Sequence, residues 1–180
     1  MSKNLTKKLV FSAMAIALGI VASRFKLFTM PTGGAITPFS MLFVSLVGYW
    51  FGLKYGLTAA VAYGLLRLLI SASGIVSLPQ ALLDYPLAFG ALGLSGIFKD
   101  RKWGLQIGLV VGVFGRFFFH LLSGVFFFAA YAPEGMNVWA YSASYNGIYL
   151  SVEGVLSILV ISIPQVASAL KRVKVMTGEQ

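Results

Sequence analysis

Six apolar runs divide this chain, at about 9–25, 38–51, 55–72, 78–98, 104–128 and 139–166. Most come close to the ~20 residues a helix needs to cross ~30 Å of hydrocarbon. The breaks between them carry Gly, Pro, Ser or charge: Met30-Pro31-Thr32-Gly33-Gly34, Gly52-Leu53-Lys54, Ser73-Gly74, Lys99-Asp100-Arg101-Lys102 and Ala132-Pro133-Glu134-Gly135. Of the 180 residues, 58% are hydrophobic and only 11% charged, whereas soluble domains run to about a quarter charged. A water-soluble fold of this size cannot hide that much apolar side chain, so lipid has to be the solvent. The expectation is an all-α membrane protein: one transmembrane domain over 1–180, built as a six-transmembrane-helix bundle.

The net charge of +9 would suggest nucleic acid in a soluble protein. Here the cations sit in short clusters between spans and read as topology signals, with no nucleic-acid partner expected. Lys3, Lys7, Lys8, Lys54, Lys99, Arg101, Lys102, Lys171, Arg172 and Lys174 fall on one side, against Arg24 and Lys26 on the other. The richer side is cytoplasmic by the positive-inside rule, and six spans then put both termini in the cytoplasm. Lys3, Lys7 and Lys8 ahead of an apolar run also fit a signal peptide; with five further spans behind it, the run reads as an uncleaved first helix. Absent cysteine and a single His120 leave no disulfide, thiolate or multi-histidine metal site to expect.

Small residues recur at helix-packing spacing. Gly104, Gly108 and Gly112, and Gly90, Gly93 and Gly96, suit close helix approach in lipid. Ala13 and Ala17, with Ala15 and Gly19, form a second stripe, fit either for internal packing or for docking another membrane protein.

Chemistry is carried by the residues that do not belong in hydrocarbon: Arg67, Asp84, Arg116, His120, Asn146 and Glu153. An ionisable group costs at least ~2.5 kcal/mol at mid-membrane, so each needs a partner or a watery cavity. At ~1.5 Å of rise per residue, all but Glu153 come to the outer third of the membrane, on four different spans. Arg116 and His120 share a helix face, with Gly124 above them leaving room for a ligand ring. Tyr85, Phe119, Phe126, Phe127, Phe128, Trp139 and Tyr141 are available as aromatic walls. The alternative is structural: Asp84 pairs with Arg67 or Arg116 to hold helices together, and the aromatics form an interfacial belt.

Gly93-Leu94-Ser95-Gly96 fits the GxSG pattern of rhomboid proteases, but Ser95 falls near the cytoplasmic Lys99 loop and His120 near the outer face, beyond hydrogen-bond reach. No P-loop sequence is present, so any drive from nucleotide hydrolysis has to come from a partner.

Two blocks carry a family resemblance. Gln80-Ala81-Leu82-Leu83-Asp84-Tyr85-Pro86-Leu87-Ala88-Phe89, continued by Gly93-Leu94-Ser95-Gly96-Ile97-Phe98, is one. Arg116, Phe119-His120, Gly124, Tyr131-Ala132, Ala140-Tyr141-Ser142 and Asn146-Gly147-Ile148 make the other. Together they resemble the thiamine-specific S-components of energy-coupling factor transporters, over nearly the whole chain. That resemblance implies a binding subunit, not an enzyme, that captures thiamine from outside without a cofactor. It implies partnership with a transmembrane coupling subunit and two ATPase subunits in the lipid bilayer of the cell membrane. It also implies ligand contacts from Asp84, Tyr85, His120, Gly124, Tyr141 and Asn146, and docking through Ala13 and Ala17. Arg116 stands where the family has lysine and Phe128 where it has tryptophan; both join the expected ligand set, as does Trp139. A charge-assisted hydrogen bond from the aminopyrimidine to Asp84 suits such a ligand. The cations in view look too few for a phosphorylated form, so the free vitamin is the expected ligand. A different vitamin or precursor, such as riboflavin or a pyrimidine, and a membrane scaffold without a ligand are the competing readings.

Overall fold

The computed structural model describes residues 3–31, 34–70 and 75–178. Thr32 and Gly33, Ala72 at the end of the third expected span, and Ser73-Gly74 lie outside the described residues. In chain order come α1 (Lys3–Ala22), a two-residue hairpin pairing β1 (Phe28–Thr29) with β2 (Ala35–Ile36), α2 (Ser40–Phe51) and α3 (Leu53–Ile70). Then follow α4 (Leu78–Phe98), α5 (Gly104–Phe127), α6 (Val138–Ser162) and α7 (Pro164–Met176). The strands run antiparallel with Phe28 opposite Ile36.

Among the described residues, α1, α3, α4, α5 and α6 are long and apolar enough to cross a membrane. The second expected span is the 12-residue α2, about 18 Å long at the ~1.5 Å rise of a helix and short of ~30 Å of hydrocarbon. α6 ends at Ser162 rather than 166 because Ile163 precedes proline. The ring of Pro164 disfavours the helical conformation at Ile163, which sits extended at φ −67°, ψ 123°, and Pro164 then opens α7. α7 folds back across the end of the bundle. The Trp50 indole of α2 donates to the Leu170 carbonyl at 3.0 Å, Lys7 of α1 reaches the Met176 carbonyl at 2.8 Å, and Lys174 holds the Lys99 carbonyl.

Glycine sets how near the helices come. A Cβ on Gly56 of α3 would stand 2.7 Å from both the Gly48 Cα of α2 and the Gly93 carbonyl of α4, so three backbones meet at one point. Gly108 and Gly112 likewise bring α5 against Ser95 and Leu92. Ser95 is fully buried there and donates to the Ser45 carbonyl at 2.7 Å, which explains its place in the Gly-rich stretch by packing. On α1 the small residues split between two faces: Ala15 and Gly19 turn inward, while Ala13 and Ala17 sit outside among exposed Val10, Met14 and Leu18.

Candidate functional site

Pro86 sets the site in motion. Lacking an N–H, it cannot bond the Leu82 carbonyl, and α4 widens over Leu83–Leu87 into one π turn in which the Ala88 N–H reaches back to Leu83. The widened turn presses on α3 at Gly64, where a Cβ would come within 2.6 Å of the Tyr85 carbonyl. Asp84 rides on this turn and faces α5.

Its carboxylate gathers three partners. Oδ2 accepts from the Gln80 amide at 2.6 Å and from the Ser123 hydroxyl at 2.9 Å, and Oδ1 lies 2.9 Å from His120 Nδ1. Arg116 Nε, which can only donate, meets His120 Nε2 at 3.2 Å. That assigns the imidazole proton to Nδ1, where it donates to Asp84. The guanidinium of Arg116 lies over the Phe89 ring at 4.2 Å. Asp84 is thus tied to the lone imidazole, and neither Arg67 nor Arg116 forms the salt bridge that the structural alternative required.

A cavity of about 830 Å³ opens beside this chain of contacts, within the ~300–1,000 Å³ usual for small-molecule pockets. Asp84, Tyr85, Arg116, His120, Gly124, Phe128, Tyr141 and Asn146 all line it. Trp139, by contrast, lies outside the lining, half-exposed in the first turn of α6. Tyr141, Tyr145 and Tyr149, four residues apart on α6, form an aromatic stripe with centroid spacings of 5.9 and 6.1 Å. Tyr145 and Tyr149 escaped the sequence reading, although the i, i+4 spacing from Tyr141 points to both. Gln80 and Ser123, the neutral partners of Asp84, carried no such signal. The hairpin joins the wall as the Gly34 N–H donates to the Tyr145 hydroxyl at 2.9 Å.

Asn146 is already engaged. Its amide donates to the Ser142 carbonyl at 2.9 Å and its oxygen accepts from the Tyr149 hydroxyl at 2.9 Å. Gly124 lines the cavity and also serves packing: a Cβ there would collide with Ser142 Oγ, so the glycine lets α5 and α6 close up. Glu153 lies off the cavity lining. It is 2% exposed and receives the Thr37 N–H and hydroxyl, the Ser40 hydroxyl and the Met41 N–H at 2.8–3.3 Å. The expectation of too few cations is corrected as well, since Arg24, Lys26, Arg67 and Arg116 all line the cavity.

Comparison with known proteins gives this architecture its kin. A family model described as thiamine transporter protein matches residues 9–172. The thiamine transporter ThiT of Bacillus subtilis is 34% identical over 154 residues, covering 78% of this chain and 79% of that one. ThiT of Lacticaseibacillus paracasei is 32% identical, covering 63% of this chain and 61% of its own length. The solved structure of ThiT from Listeria monocytogenes shares the fold at a TM-score of 0.76 and 24% identity, covering 93% of this chain and 96% of the other. Five membrane-length helices and this kinship make the molecule a multi-pass cell-membrane protein. A match spanning residues 9–172, with relatives a third identical, settles the lineage: the chain belongs to the thiamine transporter protein family.

Proposed function

We propose that the chain is the substrate-binding S-component of an energy-coupling factor transporter and that it captures thiamine in the cavity beside Asp84. One observation carries the reading. An ionised carboxylate offers about four acceptor sites, and Asp84 has three of them filled, by Gln80, Ser123 and His120. The open site on Oδ1 suits the amino group of an aminopyrimidine, and the negative charge suits a ligand carrying a thiazolium cation. Tyr85, Phe128 and Tyr141 offer ring faces for the two flat rings and the cation. His120 has both nitrogens committed, so its part is to orient Asp84. Kinship with relatives named thiamine transporters supports the choice of ligand.

Calorimetric titration of the detergent-purified protein tests it. Saturable binding of thiamine, with no displacement by riboflavin or a free pyrimidine, is expected. Displacement of thiamine by one of those compounds would move the assignment to that ligand, and silence towards all of them would leave a scaffold.

In this reading the short α2 completes six membrane-embedded helices, with both termini cytoplasmic. A transmembrane coupling subunit docks on the exposed face of α1 around Ala13 and Ala17, and two ATPase subunits supply the energy. Ala13→Trp should then leave thiamine affinity unchanged while abolishing uptake by cells. Normal uptake with that variant would move the docking face elsewhere.

A further inference from the structure

The first turn of α4 does two jobs with one side chain. Ser77 caps the helix by accepting the Gln80 N–H at 3.3 Å. A Gln three residues after such a cap ordinarily folds its side-chain oxygen back onto the backbone N–H of the capping residue. Here Gln80 Oε1 reaches one residue further and takes the Val76 N–H at 3.1 Å. That contact needs only an oxygen, so a glutamate would make it equally well. The other arm needs an amide. Nε2 donates to Asp84 Oδ2 at 2.6 Å, where a glutamate would set one carboxylate against another.

The amide cannot turn over. A flip would face its oxygen to the carboxylate and its NH2 to the Val76 N–H, and both bonds would be lost. Gln80 is buried, so such a loss is costly. The backbone of Val76 therefore fixes which end of the amide meets Asp84. With the Ser123 hydroxyl on the same oxygen at 2.9 Å, Oδ2 is filled and Oδ1 is left for the cavity. Val76 itself is exposed and lines that cavity from the segment that leads into α4. We propose that Gln80 is a positioning residue: it sets the direction in which Asp84 meets a bound molecule and ties that carboxylate to the chain entering α4 at Val76. Its effect on affinity rests on the thiamine reading, whereas the tie to Val76 does not.

A double-mutant cycle on the full chain in detergent tests both parts, read by calorimetric titration with thiamine and by hydrogen exchange at the Val76 amide. Gln80→Met should weaken thiamine binding about three- to tenfold, the scale of one hydrogen bond. In an Asp84→Ala background the same substitution should change affinity by less than about twofold, because nothing is left to position. Gln80→Glu keeps the oxygen for Val76 and covers the case in which Gln80→Met fails to fold. It too should bind thiamine more weakly, although its added negative charge by itself favours a cation. In the ligand-free protein, Asp84→Ala should speed exchange at Val76 by freeing the Gln80 amide. The proposal is overturned if Gln80→Met costs the same affinity with and without Asp84, as a packing defect would. It is equally overturned if Gln80→Glu binds thiamine as tightly as the unmodified chain, or if Asp84→Ala leaves exchange at Val76 unchanged. An unmodified protein silent towards thiamine, with Asp84→Ala still speeding that exchange, would sink the vitamin reading and leave the tie between Asp84 and Val76 standing.

Discussion

Two carboxylates sit among the membrane-spanning helices, and they have opposite fates. Glu153 of α6 is closed. Phe39, which precedes α2, has a left-handed backbone at φ 63° and no side-chain oxygen to cap the helix. Glu153 supplies that cap from the neighbouring helix, taking both the Ser40 hydroxyl and the Met41 N–H on Oε1. A negative group at a helix N-terminus also meets the positive end of the helix dipole. With the Thr37 N–H and hydroxyl on Oε2, all of its ~four acceptor sites are used. Asp84 of α4 is held by three donors and borders a cavity. Buried charge alone therefore does not separate the two carboxylates; the number of acceptor sites left over does.

The largest effect expected from this contrast is on stability. Glu153→Leu leaves three buried donors without an acceptor, since of the four only one hydroxyl can turn to the other, Thr37 Oγ1 and Ser40 Oγ lying 2.8 Å apart, and it should destabilise the fold by about 3–5 kcal/mol, the range for breaking a buried charged network. For a chain of this size that is a drop of about 6–20 °C in the apparent melting temperature. Thermal unfolding of the purified protein, followed by circular dichroism, measures it. A variant that melts with the unmodified protein would mean the cap carries no weight.

Asp84→Asn should behave in the opposite way. It keeps an acceptor for Ser123 or Gln80 and faces a hydrated space, so melting should move only slightly. Thiamine affinity should fall by about ten- to hundredfold, or 1.5–3 kcal/mol, through loss of a charged acceptor. Calorimetry on the same preparation reads both quantities. If Asp84→Asn melts early and Glu153→Leu loses affinity, the two roles are reversed.

How much of this was legible beforehand follows from what each residue costs in lipid. Asp84, His120 and Arg116 announced themselves because ionisable groups are rare in apolar spans, and helical rise placed them at one depth. Glu153 was equally visible as an anomaly, but its partners Thr37, Ser40 and Met41 lie more than 110 positions away. Spacing along a helix says nothing about such pairings. Gln80 and Ser123 are neutral, so nothing set them apart from other small polar residues. The π turn at Pro86 and the stop at Pro164 have local causes that the sequence contains, yet their consequences depend on Gly64 and on the bundle's end. Arg67 was marked as costly, while Arg24 and Lys26 were absorbed into the topology count, so their convergence on the cavity went unseen.

Gly124 sharpens the contrast between holding the bundle and meeting a ligand. If its missing side chain serves helix approach, Gly124→Ala should cost about 1–3 kcal/mol through overpacking against Ser142. Ser142→Gly in the same chain should restore much of the melting temperature, because the colliding hydroxyl is then gone. A pair of additive losses would show that the two helices do not meet through these residues and would return Gly124 to the role of making ligand space.

The smallest effect is expected at Trp139, and it tests what a cavity wall is. Aromatic residues are attractive candidates for a flat cationic ligand, and Trp is the strongest cation–π partner of all. Yet Trp139 is 51% exposed and does not line the cavity, while Phe128 and Tyr141 do. Its backbone N–H is held by the Asn137 side chain at the start of α6, so its place there belongs to the helix cap. Trp139→Ala should therefore change thiamine affinity by less than about threefold, as surface substitutions away from special features do. Phe128→Ala, removing a ring from the wall itself, should weaken binding by more. If calorimetry ranks the two the other way round, the ligand sits higher than Asp84 suggests, and the open acceptor site on that carboxylate is not what receives it.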